Sequence, residues 1–211
     1  MALLHRAELR PSKLELLAAW LPGQGWFDSG PPAEVTRVAA YRFDDPAGAV
    51  GVETLLVRVG DGSVHQVPLT YRGAPLDGAD DRLVGTVHHS VLGPRWVYDA
   101  CGDPVYPVVL TAAILGGAAQ AQEFFEVDGV REYRAPNMEI TSSAADRTDP
   151  PTVAGPLRVT DSDPTLIVTD TVELAVVRRL GAGAVRPGAA TLAGTWPGQP
   201  TPVPLAYAVP R

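Results

Sequence analysis

The sequence predicts an α+β fold in which antiparallel sheet dominates, two helices pack against it, and a small β subdomain follows. Three observations carry this. Leu55, Val57 and Val59 alternate, as do Val67, Leu69 and Tyr71, and Gly60-Asp61-Gly62 lies between the two runs as a hairpin turn. Helical spacing occurs in two places only, near the start and mid-chain. The remaining strand-like runs are not separated by regular helices, which argues against a doubly wound parallel sheet.

Leu14, Leu17, Ala18 and Leu21 recur at helical spacing, with Ser12 as N-cap and Pro22-Gly23 as stop. Trp26 and Phe27 follow directly and are expected to fold back onto the core. Val35 to Phe43 is rich in β-branched and aromatic residues and reads as a strand. After the hairpin, Gly73 to Asp81 is a Gly/Pro/Asp loop, and Leu83 to Leu92 reads as another strand. Asp103 as N-cap and Pro104 at the first helical position open the second helix, which is expected to run toward Gln122. Glu123 to Val127 and Val130 to Arg134 form a hairpin around Asp128-Gly129, and Met138 to Thr141 adds a strand.

The polar, proline-bearing stretch 142–156 is the expected linker between a domain at 1–141 and a β subdomain at 157–211. In the latter, Leu157 to Val159, Thr165 to Thr169 and Val172 to Arg178 read as short strands, the last two joined at Asp170. The tail from Gly181 to Pro210 is loaded with Gly, Pro and Ala, but Leu192, Trp196, Leu205 and Tyr207 predict that it packs.

A net charge of −7 without a basic stripe argues against nucleic acid or an anionic membrane as partner. Cys101 is the sole cysteine, so no internal disulfide forms. The longest apolar stretch, Val108 to Ala119, is shorter than a membrane helix and contains Gly116-Gly117. The opening residues lack a signal-peptide core, and a cytoplasmic location is expected.

No complete catalytic set emerges. His88-His89 point to opposite faces of a strand, so both cannot hold one metal ion, and a surface or edge position is favoured. His65 shares the face of Val67 and Leu69 and reads as a core or edge histidine. Cys101 lies near a helix start without an assignable base, and a buried apolar role is favoured. Asp99 and Asp103 read as caps rather than an acid–base pair. Gly116-Gly117 and Gly181-Ala182-Gly183-Ala184 match neither a P-loop nor a dinucleotide fingerprint. No catalytic residue, cofactor or metal is therefore assigned.

Several segments in order resemble the N-terminal cap of actinobacterial maltokinases. Trp20-Leu21-Pro22-Gly23-Gln24-Gly25-Trp26-Phe27 is similar to the family's opening helix and its Gln-Arg-Trp-Phe signature, with Gly25 in place of arginine. Asp61-Gly62 followed by Gln66-Val67-Pro68-Leu69 resembles the cap's Tyr-Gln-x-Pro-Leu strand. Val97-Tyr98-Asp99-Ala100 with Asp103-Pro104 resembles its Tyr-Asp-Ala and Asp-Pro lead into the cap helix. The resemblance covers about residues 12 to 140 and implies a curved antiparallel sheet. Thr165 to Leu180 is similar to a hairpin of the kinase N-lobe. Ala175 stands where the resemblance expects the lysine that reaches ATP phosphates, and Ala189 or Ala190 where its acidic partner is expected. The catalytic lobe that would follow Tyr207 is not part of the sequence, which ends at Arg211.

The resemblance implies a cap with a degenerate kinase N-lobe sheet, acting as a non-catalytic binding or regulatory module near trehalose, maltose and glycogen metabolism. A protein partner is expected, either a kinase-type catalytic lobe or a sugar-metabolism enzyme. One alternative is the accessory half of a split ATP-dependent sugar kinase. A second is a small-ligand-binding protein with its pocket on the sheet.

Overall fold

The computed structural model describes the chain except residues 1, 4–6, 28–33, 128, 146–149, 155–156 and 182–185. Two short strands, β1 (Ala2–Leu3) and β2 (Leu9–Arg10), precede helix α1 (Lys13–Trp20). Ser12 and Glu15 close a capping box at the α1 N-terminus: the Ser12 hydroxyl accepts from Glu15 N, and the Glu15 carboxylate accepts from Ser12 N. A 3₁₀ turn, Leu21–Gly23, ends the helix at the expected Pro22-Gly23.

The first large sheet is built from β3 (Val35–Asp44), β4 (Gly51–Val59), β5 (Val64–Arg72), β6 (Leu83–His89) and β7 (Gly93–Asp99). With β2 it has six strands in the order β2-β6-β7-β5-β4-β3, every neighbour antiparallel, and it curls into a half-barrel. The β4–β5 hairpin turns at Gly60-Asp61-Gly62 as the alternation predicts. The strand expected over Leu83 to Leu92 stops at His89, because the chain turns through Ser90–Leu92 and returns as β7. Strand β7 opens on Gly93-Pro94 and runs on through three consecutive apolar residues, Trp96-Val97-Tyr98, so no period of two marks it.

Helix α2 (Val105–Leu115) follows a 3₁₀ turn at Ala100–Gly102. It begins one residue later than expected, which puts Pro104 rather than Asp103 at the N-cap position, although Asp103 Oδ1 still accepts from Val105 N at 3.0 Å. The helix does not reach Gln122. Gly116 closes it, and Gly117, at φ +65°, turns the chain away. Strands β8 (Glu123–Val127) and β9 (Val130–Tyr133) form the expected hairpin, with Asp128 outside the described residues, and β1 lies parallel to β8.

The second large sheet comprises β10 (Glu139–Ser142), β11 (Arg158–Thr160), β12 (Thr165–Val168), β13 (Val172–Val176), β14 (Ala190–Trp196) and β15 (Gln199–Pro210). Its order is β10-β14-β15-β13-β12-β11, again antiparallel throughout. The strand before the proline-bearing stretch therefore hydrogen-bonds into the sheet formed after it. The tail packs as expected, but as two long strands that its Gly and Pro content conceals. Pro200, Pro202 and Pro204 are tolerated because that half of β15 is paired only with β14, while β13 reaches no further than Ala206.

Two apolar clusters hold these layers together. On one face of the first sheet, Leu16, Leu17 and Leu21 pack against Leu55, Val57, Val67, Leu69 and Val97. On the other face, Tyr41, Phe43, Val52 and Leu56 meet α2 through Tyr106, Leu110 and Ile114 and the second sheet through Ile167, Leu174, Leu192 and Leu205. Strand β4 is thus buried on both sides. Each such fully buried side chain contributes roughly 1.5–3 kcal/mol of transfer free energy.

Candidate functional site

Strand β4 carries a carboxylate on the face that it otherwise gives to α1. Glu53 has the parity of Leu55 and Val57, and its side chain is only 5% exposed. Lys13, at the first position of α1, donates to Glu53 Oε2 at 2.5 Å, and the Tyr71 hydroxyl donates to the same oxygen at 2.9 Å. Arg42, directly across from Glu53 on β3, reaches to 3.9 Å. Burial alone would raise the Glu53 carboxyl. The charges of Lys13 and Arg42 and the two hydrogen bonds outweigh it and hold the pKa at about 2. Burial and the neighbouring carboxylate push the Tyr71 phenol well above its ordinary value, so it stays a donor.

Clefts open on both sides of this cluster. One, of about 300 Å³, is lined by Lys13, Arg37, Arg42, Glu53, Arg134 and Asn137 among others. The other, of about 630 Å³, shares Lys13 and Arg42 and adds Asp44, Tyr71, His89 and Arg95. The smaller cleft exists because β3 is a sheet edge whose outward backbone groups are taken by other segments. Ala121 N donates to Arg42 O at 2.8 Å, and Ala40 N donates to Asn137 Oδ1 at 3.1 Å. These bonds hang 120–123 and 134–137 beside the strand as cleft walls. Arg37 and Arg42 are an odd number of residues apart, so regular alternation would send them to opposite faces. The register shift between Arg37 and Ala39 restores parity, and both line the same cleft.

A second polar cluster lies between the two large sheets. Arg178 is fully buried. It donates from Nη2 to Asp99 at 2.7 Å and to Cys101 Sγ at 3.2 Å, and from Nε to Thr165 Oγ1 at 2.8 Å. Its guanidinium carbon sits 4.6 Å over the Trp26 ring. Desolvation opposes the Arg178 charge, but Asp99 overrides this and raises its pKa. Burial pushes the Cys101 thiol up. Gln66 makes a parallel bridge: it accepts from the Tyr41 hydroxyl and donates to the Val177 and Leu205 carbonyls.

These contacts fall on the motifs that carry the sequence resemblance. Residues 20–103 match the maltokinase N-terminal cap domain. The match covers less than half of the chain, and no curated protein matches it significantly. Within the cap region Trp20 and Trp26 stack edge to face at 5.8 Å, and Gln24 Nε2 donates to Trp20 O. Phe27 and Trp26 both lie against buried His65. Pro68 and Leu69 sit in β5 opposite Thr54 and Glu53. The Tyr98 hydroxyl accepts from Leu76 N. Asp99 caps Cys101 N besides binding Arg178. Asp103 takes both terminal contacts of Arg72 at 2.6 Å and the Thr70 hydroxyl at 2.7 Å, while Pro104 leads into α2. Of the motif residues, Trp26, Gln66 and Asp99 reach across to the second sheet, while the others are held within the first sheet and the segments around it.

The other expected candidates scatter. His88 is exposed at the end of β6, and His89 Nδ1 accepts from Val91 N and Leu92 N within the following turn. Ala175 is buried in β13, across from Leu166 and Tyr207. Ala182, Gly183 and Ala184 lie outside the described residues. Among the described residues no helix is long and apolar enough to cross a membrane. Glu53 was not singled out from sequence, although an acid sharing the parity of Leu55 and Val57 was its signal.

Proposed function

We propose that the chain acts as a maltokinase-cap-like binding or regulatory module that does not itself transfer phosphate. The observation that carries the reading is Ala175. It stands at the position where the maltokinase resemblance expects the phosphate-contacting lysine, and it is packed in the core at 1% exposure. A strand that buries a methyl group there has no side chain to offer a nucleotide. The grip of Trp26, Gln66 and Asp99 on the second sheet supports the same view, since it gives the cap motifs a role in joining two sheets. The module would act near maltose and glycogen metabolism through a protein partner, a link that rests on the family alone. Ala175 weighs equally against the split sugar kinase, whose docked lobe would need that lysine.

The test is a thermal-shift titration of the purified chain with ATP and Mg²⁺, alongside an assay for phosphate transfer to maltose. The expected result is no saturable shift and no transfer. A saturable shift with ATP–Mg²⁺, or any enzyme-dependent maltose phosphate, would overturn the reading.

A further inference from the structure

We propose that the cleft beside β3 is a binding site for a small organic phosphate monoester. The proposal stands apart from the maltokinase-cap reading, because it uses only the charges and geometry of the cleft.

The chain is acidic overall at −7, yet this cleft gathers Lys13, Arg37, Arg42 and Arg134 against the carboxylates of Glu53 and Glu123. That is a local excess of two positive charges, where the protein as a whole has the opposite balance. The excess matches the charge of a phosphate monoester near neutral pH. A carboxylate would neutralise only half of it.

The cations are also only partly committed. Lys13 is bound to Glu53. Arg42 stands 3.9 Å from Glu53 and Arg134 3.8 Å from Glu123, both beyond hydrogen-bond distance. Arg37 is exposed. Guanidinium forks of this kind make paired hydrogen bonds to phosphate oxygens. Asn137 adds a neutral donor. Its Oδ1 is taken by Ala40 N, which orients the amide and leaves the Nδ2 hydrogens for a ligand. Glu53, buried beneath, holds Lys13 and Tyr71 in position and remains ionised, so the cations are preorganised before any ligand arrives. The volume, about 300 Å³, lies at the small end of the range for ligand sites and suits a monoester of hexose size or less.

The experiment is isothermal titration of the full chain at low salt with glycerol 3-phosphate, glucose 6-phosphate, glucuronate and glucose. At least one phosphate ester should bind saturably, glucuronate about tenfold more weakly, and glucose not at all. Arg37→Ala, at an exposed position, should keep the native thermal midpoint and weaken ester binding about tenfold. Arg58→Ala, on an exposed part of β4 outside the cleft, should leave it unchanged. The proposal falls if neither ester binds, if glucuronate or glucose binds as tightly, or if Arg37→Ala has no more effect than Arg58→Ala.

Discussion

Arg178 donates to Asp99 at 2.7 Å across the joint between the two large sheets, with both side chains at most 3% exposed. A buried ion pair of this kind couples its partners more strongly than it stabilises the fold, because either charge left alone is stranded in a medium of low dielectric. Arg178→Met and Asp99→Asn should each lower unfolding free energy by about 3–5 kcal/mol. The double variant should lose clearly less than the sum. Urea denaturation of all four proteins measures the coupling, and strict additivity would show that the two groups do not depend on one another.

Acid should act on Glu53. Its folded-state pKa of about 2 lies below the ordinary value of 4.5, so its contribution is fully present above pH 4.5 and is lost as the pH falls toward 2. The loss is on the order of 3 kcal/mol. Glu53→Gln should start less stable at neutral pH and show a flatter decline between pH 4.5 and 2. Equal slopes in the two proteins, measured by chemical denaturation across that window, would remove Glu53 as the acid-sensitive group.

Much of this was readable from residue patterns, and the failures have physical causes. Ser12 announces α1 because capping is a local event, and Gly60-Asp61-Gly62 announces its hairpin for the same reason. The β14–β15 pair was hidden because proline counts against a strand only if both sides must be hydrogen-bonded, and local sequence does not say which half of β15 has one neighbour. The joint was half legible. Trp26, Asp99 and Gln66 stood out through the cap motifs, but their meeting with Arg178 spans up to nearly three-quarters of the chain and leaves no spacing signature. The cleft was least legible, since four cations drawn from α1, β3 and the segment after β9 form a set only once the sheet edge is covered.

Gly117 and Gly48 separate backbone strain from steric conflict. Both adopt positive φ, +65° and +68°. A Cβ at Gly48 would meet nothing within 4 Å, whereas one at Gly117 would lie 2.5 Å from the Ala145 carbonyl oxygen. Gly48→Ala should cost about 1 kcal/mol, and Gly117→Ala about 3 kcal/mol or more, because backbone must shift as well. Comparable urea midpoints for the two variants would contradict the close approach of Ala145.

Cys101 should be silent in the folded protein. It is fully buried, and burial raises its thiol pKa. An aromatic disulfide reagent at pH 8 should release no chromophore from native protein and one equivalent after denaturation. Rapid labelling of the native chain would show that the joint between the sheets opens readily.

The shift in β3 between Arg37 and Ala39 has an evolutionary corollary. The charge of the cleft depends on whether the count from Arg37 to its neighbours is odd or even, and a single inserted or deleted residue reverses that count. Removing one residue at this point would leave composition, net charge and strand propensity almost untouched, yet carry Arg37 to the opposite side of the sheet. Related chains that differ by one residue here would thus divide into two groups, with and without the Arg37 guanidinium in the cleft, on a length difference that substitution scores barely register.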